Sequence, residues 1–333
     1  MINKEEFHII DLYKNFGYFH VKIDKSYLKD MLRKISNDNK PHYNTKLIKK
    51  LNMKYTKNKK ACLTIYSWTA YDKTLPLEKL IKIIKLSNED WQKAKSKIIS
   101  LKAGQSRGEI KPDFPIKIDK KLGSIVGHIL GDGSIDSKYQ QVFFSNSNKE
   151  LLKEFSSHMK EIFGVKPRIW MQAAPDFGNT KWDRKLNEID ELIEGRNCGL
   201  FYPTICGLIV NEIFDNFAIG NTKKITQKII KTNKEFKIGL LRAFFDDEST
   251  VDRQRKYIRV FQDRKNILKV IKALLKEIEI ESQPLKKYVK KNKDRYYFDI
   301  YKSNNNLLKY QKEIGFTSSK KAEKLNNIIN PLI

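Results

Sequence analysis

Leu122-Gly-Ser-Ile-Val-Gly-His-Ile-Leu-Gly-Asp-Gly-Ser-Ile-Asp136 and Ile238-Gly-Leu-Leu-Arg-Ala-Phe-Phe-Asp-Asp-Glu-Ser-Thr-Val-Asp252 are two versions of one pattern, 116 residues apart. At the same offset Val142 and Phe144 fall on Ile258 and Val260. Leu152, Phe155 and Met159 fall on Leu268, Ile271 and Leu275, and Lys160-Glu161-Ile162 recurs as Lys276-Glu277-Ile278. Apolar positions repeat where identities do not, and no gap is needed. The chain therefore carries two copies of one unit of roughly 100 residues, beginning near Lys117 and near Glu235.

Both copies read alike. A short apolar helix ends at an acid. A period-two stretch follows (Gln140 to Ser145; Lys256 to Phe261), which is strand-like, then an amphipathic helix (Lys149 to Phe163; Lys265 to Ile280). A second extended stretch (Val165 to Gln172; Gln283 to Lys290), a further strand (Cys198 to Tyr202; Tyr296 to Tyr301) and a helix (Leu208 to Phe217; Asn305 to Ile314) complete each unit. The first copy has an insertion, roughly Ala173 to Arg196, whose Pro175, Gly178 and Gly195 read as a long loop with a short helix. Helices and strands mix without regular βαβ alternation, so the expected class is α+β.

In the apolar helix of the first copy Gly123, Gly127 and Gly131 stand four apart on one face; in the second copy the stripe is Gly239, Ala243 and Asp247. Small residues at this spacing let two helix backbones approach closely. Each stripe ends beside an acid, Asp132 or Glu248. Packed together, the two helices would bring those acids into proximity. Neighbouring carboxylates repel and raise each other's pKa unless a cation lies between them. A hard cation such as Mg²⁺ accepts carboxylates, backbone carbonyls, water and phosphate oxygens, and can activate water against a phosphodiester. Gly131-Asp132-Gly133 alone would read as a turn; its repetition in a basic chain points to metal-dependent hydrolysis of a nucleic-acid backbone.

The charge supports that reading. Sixty-six Lys and Arg against 39 Asp and Glu give a net +27 over 333 residues, which suits a polyanionic partner. Three cysteines without metal-ligand spacing exclude a disulfide scaffold and a structural zinc site, and point to a reducing, intracellular setting. MINKEEFHII lacks the order of a signal peptide, and no apolar run is long enough to span a bilayer. Met1 and the ending Asn330-Pro-Leu-Ile333 lack the residues of a self-splicing element, so none is expected.

Residues 1–103 read as a separate, mainly helical DNA-binding domain, with 104–116 as linker. Thr45 would cap a helix through Leu47, Ile48 and Leu51, Leu63 to Trp68 would form a second, and Leu75-Pro76 would open a third. This resembles a helix-turn-helix, with the basic run Lys57, Lys59 and Lys60 in place of a short turn.

Val-Gly-His-Ile-Leu-Gly-Asp-Gly (126–133) and Leu-Arg-Ala-Phe-Phe-Asp-Asp-Glu (241–248) resemble the two motifs of the LAGLIDADG homing endonuclease family in its archaeal-like, monomeric form, over about 215 residues. The resemblance implies two αββαββα repeats, 117–226 and 227–333, with saddle-shaped sheets on the DNA major groove. It implies metal binding by Asp132 and Glu248, helped by the carbonyls of Gly131 and Asp247, and Mg²⁺ as cofactor with Mn²⁺ able to substitute. It implies basic residues that support the chemistry, for which Lys223 and Lys320 stand in comparable places. The partner would be double-stranded DNA with a long asymmetric site, cut across the minor groove by a monomer inside a prokaryotic cell. One departure is Ser249 where the first copy has Gly133; were φ positive there, Ser would be strained by about 1 kcal/mol or more.

Alternation assigns the sheet faces. Val142, Phe144, Ile258 and Val260 should face the helices. Gln141, Phe143, Ser145, Arg168, Trp170, Gln172, Arg259, Phe261, Lys286, Tyr288, Lys290, Tyr297 and Tyr301 should face the DNA. Arg and Gln suit guanine and adenine edges, whereas Lys mostly meets phosphate. His128 reads as a packed core histidine. The alternative is a scaffold that no longer cuts: a DNA-binding regulator, or an intron RNA maturase. Ser249 favours it and the retained acids oppose it.

Overall fold

The computed structural model describes residues 5–15, 19–37, 45–53, 60–71, 73–104, 108–172, 182–193, 195–220, 222–290 and 293–330. They divide into two compact units: His8–Pro112 with Pro203–Ile205, and Met1–Phe7 with Asp113–Tyr202 and Cys206–Ile333.

The chain begins with β1 (Glu6–Phe7) and a 3₁₀ turn (Ile9–Asn15). The first unit then runs β2 (Phe19–Ile23), α1 (Lys25–Ser36), α2 (Thr45–Lys50), α3 (Lys60–Ala70), β3 (Leu75–Pro76), α4 (Leu77–Ser87), α5 (Trp91–Ser96), β4 (Ile98–Ala103) and β5 (Glu109–Ile110). Helices dominate, and α2, α3 and α4 each pack on α1. An antiparallel sheet in the order β3-β2-β4-β5, absent from the sequence reading, completes the unit. Its signature was the alternation of β2, whose Phe19, Val21 and Ile23 are buried. Leu75-Pro76 pairs with β2 and also opens the expected helix, with Pro76 the N-cap of α4. Glu109–Ile110, placed in the linker by its composition, is an edge strand of this sheet. Lys57 and Lys59 of the basic run lie outside the described residues.

In the second unit β6 (Ile116–Lys117) pairs with β1. The first repeat follows as α6 (Lys120–Leu130), β7 (Gly133–Ile135), β8 (Val142–Asn146), α7 (Lys149–Phe163), β9 (Arg168–Gln172), β10 (Trp182–Leu186), a 3₁₀ turn (Ile189–Glu191), β11 (Cys198–Phe201), α8 (Thr204–Ile213), β12 (Ala218–Ile219), β13 (Thr222–Lys223) and α9 (Gln227–Ile230). The second comprises α10 (Lys234–Glu248), β14 (Ser249–Asp252), β15 (Tyr257–Gln262), α11 (Lys265–Glu277), β16 (Lys286–Lys290), β17 (Lys293–Asp299), α12 (Asn304–Glu313) and α13 (Ser319–Ile329). The antiparallel sheets run β10-β9-β11-β8-β7 and β14-β15-β17-β16, so the second repeat is αββαββα, the first is the same with one added strand, and the class is α+β. The extra strand β10 falls in the segment read as a loop; Pro175 and Gly178 of that segment lie outside the described residues. The helix expected from Leu208 begins at Thr204, after Pro203, and ends where Asp215 and Asn216 take positive φ.

Each sheet buries one face on its amphipathic helix. Val142, Phe144, Ile169, Met171 and Leu200 are buried, as are Leu151, Leu152, Phe155, Met159 and Phe163 of α7. Ile258, Val260 and Phe298 do the same with Ile267, Leu268, Ile271, Leu274 and Leu275 of α11. Among the described residues no helix is long and apolar enough to cross a membrane. Cys62, Cys198 and Cys206 are free and buried.

Candidate active site

The site begins with the packing of α6 on α10. Asp119 caps α6 by accepting from the backbone N–H groups of Lys121 and Leu122; Asn233 caps α10 by accepting from Phe236. A Cβ at Gly123 would overlap the Phe236 carbonyl, one at Gly127 the Leu240 carbonyl, and one at Gly239 the Lys120 carbonyl. The backbones are thus in direct contact, with Ala243 Cβ seated against Gly127. Contact continues to the helix ends: a Cβ at Gly131 would fall 2.6 Å from Asp247 Oδ2.

Asp132 follows the C-cap Gly131, and Glu248 is the last residue of α10. Each carboxylate accepts one amide. Asn146 Nδ2 donates to Asp132 Oδ2 at 3.0 Å, and Gln262 Nε2 donates to Glu248 Oε1 at 2.9 Å. Asn146 and Gln262 are themselves 116 residues apart; the repeat offset could have found them. Each helix end also carries a lysine. Lys223 Nζ donates to the carbonyls of Leu130 (3.2 Å) and Gly131 (2.5 Å). Lys321 Nζ donates to those of Phe245 (3.1 Å), Asp246 (2.5 Å) and Ser249 (2.6 Å). Lys321 is therefore the counterpart of Lys223, in place of the expected Lys320, which is exposed. Only the phase of α13 separates these adjacent lysines.

Charge is crowded here. Desolvation, then neighbouring Asp247, pushes the Asp132 carboxyl up to about 7, although its outer side is open to solvent. Desolvation, then Asp132 and Asp247, pushes half-buried Glu248 up to about 8. Burial lowers both Lys223 and Lys321. Burial would also lower His128, but Asp247, then Glu154, outweigh it and raise the imidazole to about 10. His128 is buried, as expected of a core histidine, and is ion-paired as well.

Ser249 is extended, at φ −113° and ψ 160°, so the strain anticipated from its replacing glycine does not arise. Its hydroxyl donates to the Phe245 carbonyl at 2.5 Å. Gly133 is required for space: a Cβ there would lie 2.8 Å from the His128 carbonyl oxygen and 3.0 Å from that of Phe143.

Two clefts flank the acids. One of about 390 Å³ includes Asp132, Asn146, Ser249, Lys320, Lys321 and Lys324 in its lining. The other, about 500 Å³, includes Lys223, Lys224, Arg264 and Lys265.

Cross-strand register sets the outer sheet faces. In the first repeat Phe143 pairs with Phe201 and Ser145 with Gly199; Gly199 also pairs with Trp170. The Phe143 ring lies 4.7 Å from Phe201 and 5.6 Å from Trp182. Gly199 leaves room for this cluster, since a Cβ would meet all three rings within 3.2 Å. Neither Trp182 nor Phe201 was anticipated, Trp182 because its segment was read as loop. Gln141, Phe143, Ser145, Trp170 and Gln172 are half-buried and Arg168 is exposed, beside buried Val142, Phe144, Ile169 and Met171.

In the second repeat Arg259 pairs with Asp299, and Phe261 with Tyr297. Arg259, expected to face the DNA, is half-buried and braced: Nε and Nη2 donate to Asp299 at 2.6 and 2.9 Å. Its Cζ stands 4.4 Å from the centres of the Tyr257 and Tyr297 rings. Phe261, Tyr288 and Tyr297 form a second aromatic cluster, 5.7 to 6.2 Å apart. Alternation fails on β16: Lys286, Lys287, Val289 and Lys290 are all exposed, because this edge strand has both faces open. Pairing with Tyr297 and Arg295 nevertheless puts Lys286 and Tyr288 on the outer side. Tyr301, beyond the end of β17, is exposed.

Among the described residues no three His, Cys, Asp or Glu side chains close into a metal cage. The side-chain oxygens at hand are the carboxylates of Asp132 and Glu248. Two acids whose ionisation is opposed by burial and by neighbouring carboxylates suit a divalent cation that water and phosphate would help to ligate.

The LAGLIDADG-like domain matches residues 119–206 and 235–315, just over half of the chain. Two curated relatives from Methanocaldococcus jannaschii are DNA-directed RNA polymerase subunit Rpo1C (26% identical over 218 residues, 65% of this chain) and an isomerizing glutamine–fructose-6-phosphate aminotransferase (26% over 224 residues, 66% of this chain). A third, replication factor C small subunit of the same organism, is 24% identical over 217 residues, 63% of this chain. The chain spans 22%, 18% and 10% of their respective lengths. Solved structures with likeness include homing endonuclease I-DmoI in complex with DNA and Mn (14% identity, TM-score 0.39, 60% of this chain and 98% of that one). Full-length DUF199/WhiA from Thermatoga maritima is another (15%, TM-score 0.41, 65% and 62%). With the domain matched once in each repeat, the chain belongs to the LAGLIDADG-like domain family.

Proposed function

We propose that this chain is a site-specific endonuclease that cuts both strands of double-stranded DNA with a divalent metal. The observation that carries the reading is the duplicated set at the helix ends: acid, amide and lysine occur once per repeat as Asp132, Asn146 and Lys223, and as Glu248, Gln262 and Lys321. Asp132 and Glu248 would hold Mg²⁺, or Mn²⁺ in its place, with the carbonyls of Gly131 and Asp247. Such a cation supplies an activated water and charge neutralisation at the phosphodiester. Asn146 and Gln262 orient the carboxylates. Lys223 and Lys321 fix the helix-end carbonyls and place positive charge where phosphate charge develops. Lys320, Lys324, Lys224 and Lys265 line the clefts as backbone contacts, and the outer sheet faces read bases.

One chain supplies both halves, so a monomer is sufficient for a long asymmetric site. The first unit would add affinity, with α2 to α4 as a helix-turn-helix-like element. The three relatives carry names of unrelated activities, so a segment common to all of them suits a mobile module of the kind that homing spreads. Their archaeal source is in keeping with a prokaryotic, intracellular setting. Ser249, the feature that favoured a non-cutting regulator or maturase, is unstrained, which removes the strain argument against the second half.

The test is cleavage of a randomised duplex library with Mg²⁺, beside Asp132→Asn and Glu248→Gln. Recovery of one long site, bound by all three proteins and cut on both strands only by the native one, is expected. Selective binding with no cut in Mg²⁺ or Mn²⁺ would overturn the nuclease in favour of the regulator or maturase.

A further inference from the structure

The two helix ends differ at several positions, two of which face each other across the repeats. Where α6 carries His128, α10 carries Phe244; where α10 carries Asp247, α6 carries Gly131. The pseudo-twofold relation between the repeats therefore replaces a His–Asp pair by a Phe–Gly pair. The His128 and Asp247 side chains are fully buried. His128 Nδ1 stands 3.0 and 3.2 Å from the two carboxylate oxygens. Its ring packs on Phe144 and Phe155, with centroids 4.6 and 5.7 Å away. On the far side Nε2 lies 3.5 Å from Glu154 Oε2, which accepts from Thr317 Oγ1 at 3.0 Å. Asp247 Oδ2 in turn accepts the backbone N–H of Asp132 at 3.3 Å.

That last bond crosses between repeats and runs one way. It fixes the backbone of the acid in the first repeat. Glu248 has no such tie and needs none: it is the last residue of α10, so its N–H is held within the helix, whereas Asp132 lies beyond the C-cap of α6. The position equivalent to Asp247 is Gly131, where a side chain would collide with Asp247. A buried carboxylate beside two others is costly unless paired, and His128 supplies the partner.

We infer that Asp247, buttressed by His128, is a positioning residue for Asp132, doing for the acid of the first repeat what the helix itself does for Glu248. This rests on the endonuclease reading, in which each repeat's acid serves one strand. Catalytic groups held to a fraction of an ångström gain rate steeply, so loss of this tie should slow the cut that Asp132 serves and spare the other.

The experiment follows each strand of the duplex recovered from the library, labelled separately, and uses Asp132→Asn and Glu248→Gln to assign strand to acid. Asp247→Ala should slow the Asp132 strand about tenfold or more and leave the other little changed. Asp247→Asn keeps an oxygen for the Asp132 N–H and should recover most of the rate. The double variant His128→Phe with Asp247→Gly, which copies the Phe–Gly pair of the other half, removes both members of the buried pair and leaves Glu154 its bond from Thr317, should slow the Asp132 strand as Asp247→Ala does. In the Glu248→Gln background Asp247→Ala should also weaken Mn²⁺ binding measured by electron paramagnetic resonance. Equal slowing of both strands with a lower melting temperature would reduce the pair to a structural role and overturn the inference. So would an unchanged strand ratio in Asp247→Ala. A native protein that cuts no duplex would remove the endonuclease reading itself, and the inference with it.

Discussion

The two repeats share their inner surfaces and differ in their outer ones. Inside, small residues at 123, 127, 239 and 243 bring the helix backbones together, and each helix end carries acid, amide and lysine. Outside, the cross-strand pairs change character. Phe143–Phe201 and Ser145–Gly199 in the first repeat become Arg259–Asp299 and Phe261–Tyr297 in the second. The apolar pair and the charged pair occupy the same places on equivalent strands. On the proposed endonuclease reading, duplication preserved what must be twofold, the chemistry on two antiparallel strands, and released what must not be, the face that would read a sequence. An asymmetric target can be read only by unlike faces.

The shared part is the easiest to break. Gly239→Val or Gly123→Val would drive a side chain into a carbonyl of the opposite helix, with no flexible group to yield. The expected loss is about 3 kcal/mol or more in urea denaturation, at the upper end for overpacking. Ala243→Gly, which removes a methyl at the place where the first repeat already has Gly127, should cost only about 1 kcal/mol. Equal losses from the two changes would mean that the stripe is ordinary core and that the helices are not held backbone to backbone.

The divergent part is tested by base preference. Arg259 spends its Nε and one Nη2 hydrogen on Asp299, which leaves the Nη1–Nη2 edge for the two acceptors of a guanine. Tyr257 and Tyr297 hold the guanidinium plane. Arg259→Lys or Asp299→Ala should relax the preference at one base pair by about 1–3 kcal/mol, within the half of the site read by the second repeat. Phe143→Ala, at the equivalent place, should weaken binding without a guanine-specific change. Selections from a randomised library for the three variants measure this. A guanine-specific change from Phe143→Ala, or none from Arg259→Lys, would erase the contrast between the faces.

Much of the shared part was legible in the sequence because packing repeats in register. The 116-residue offset aligned both acids, both strands beside them and both amphipathic helices, since apolar periodicity survives divergence. Asn146 and Gln262 were reachable by the same offset and passed over, because an amide at the end of a strand carries no periodic signal. Lys321 was not reachable: it and Lys320 are neighbours, and only the phase of α13 points one of them at the helix end. The Arg259–Asp299 bridge depends on strand pairing between residues 40 apart, which alternation within one strand cannot reveal. The β2-β4 sheet of the first unit hid for the same reason. The Trp182 strand hid behind the turn-forming residues of its insertion.

The smallest expected effect concerns the acids themselves. They are alike in having raised pKa values, and unlike in surroundings: Asp132 is open to solvent on one side, whereas Glu248 is more enclosed. Desolvation leads the shift of Glu248, and the charges of Asp132 and Asp247 add to it. With no cation present, ionised Glu248 works against the fold, so Glu248→Gln should melt a few degrees above the native protein in a chelator at pH 8. It should keep its bond to Gln262 through the remaining carbonyl oxygen. Asp132→Asn, at the more solvated position, should gain less. Added Mg²⁺ should reverse the order by stabilising the native pair and not the variants. Scanning calorimetry with and without the cation reads both comparisons. If the chelated native protein melts above both variants, the carboxylates are not in conflict, and a cation is not what reconciles them.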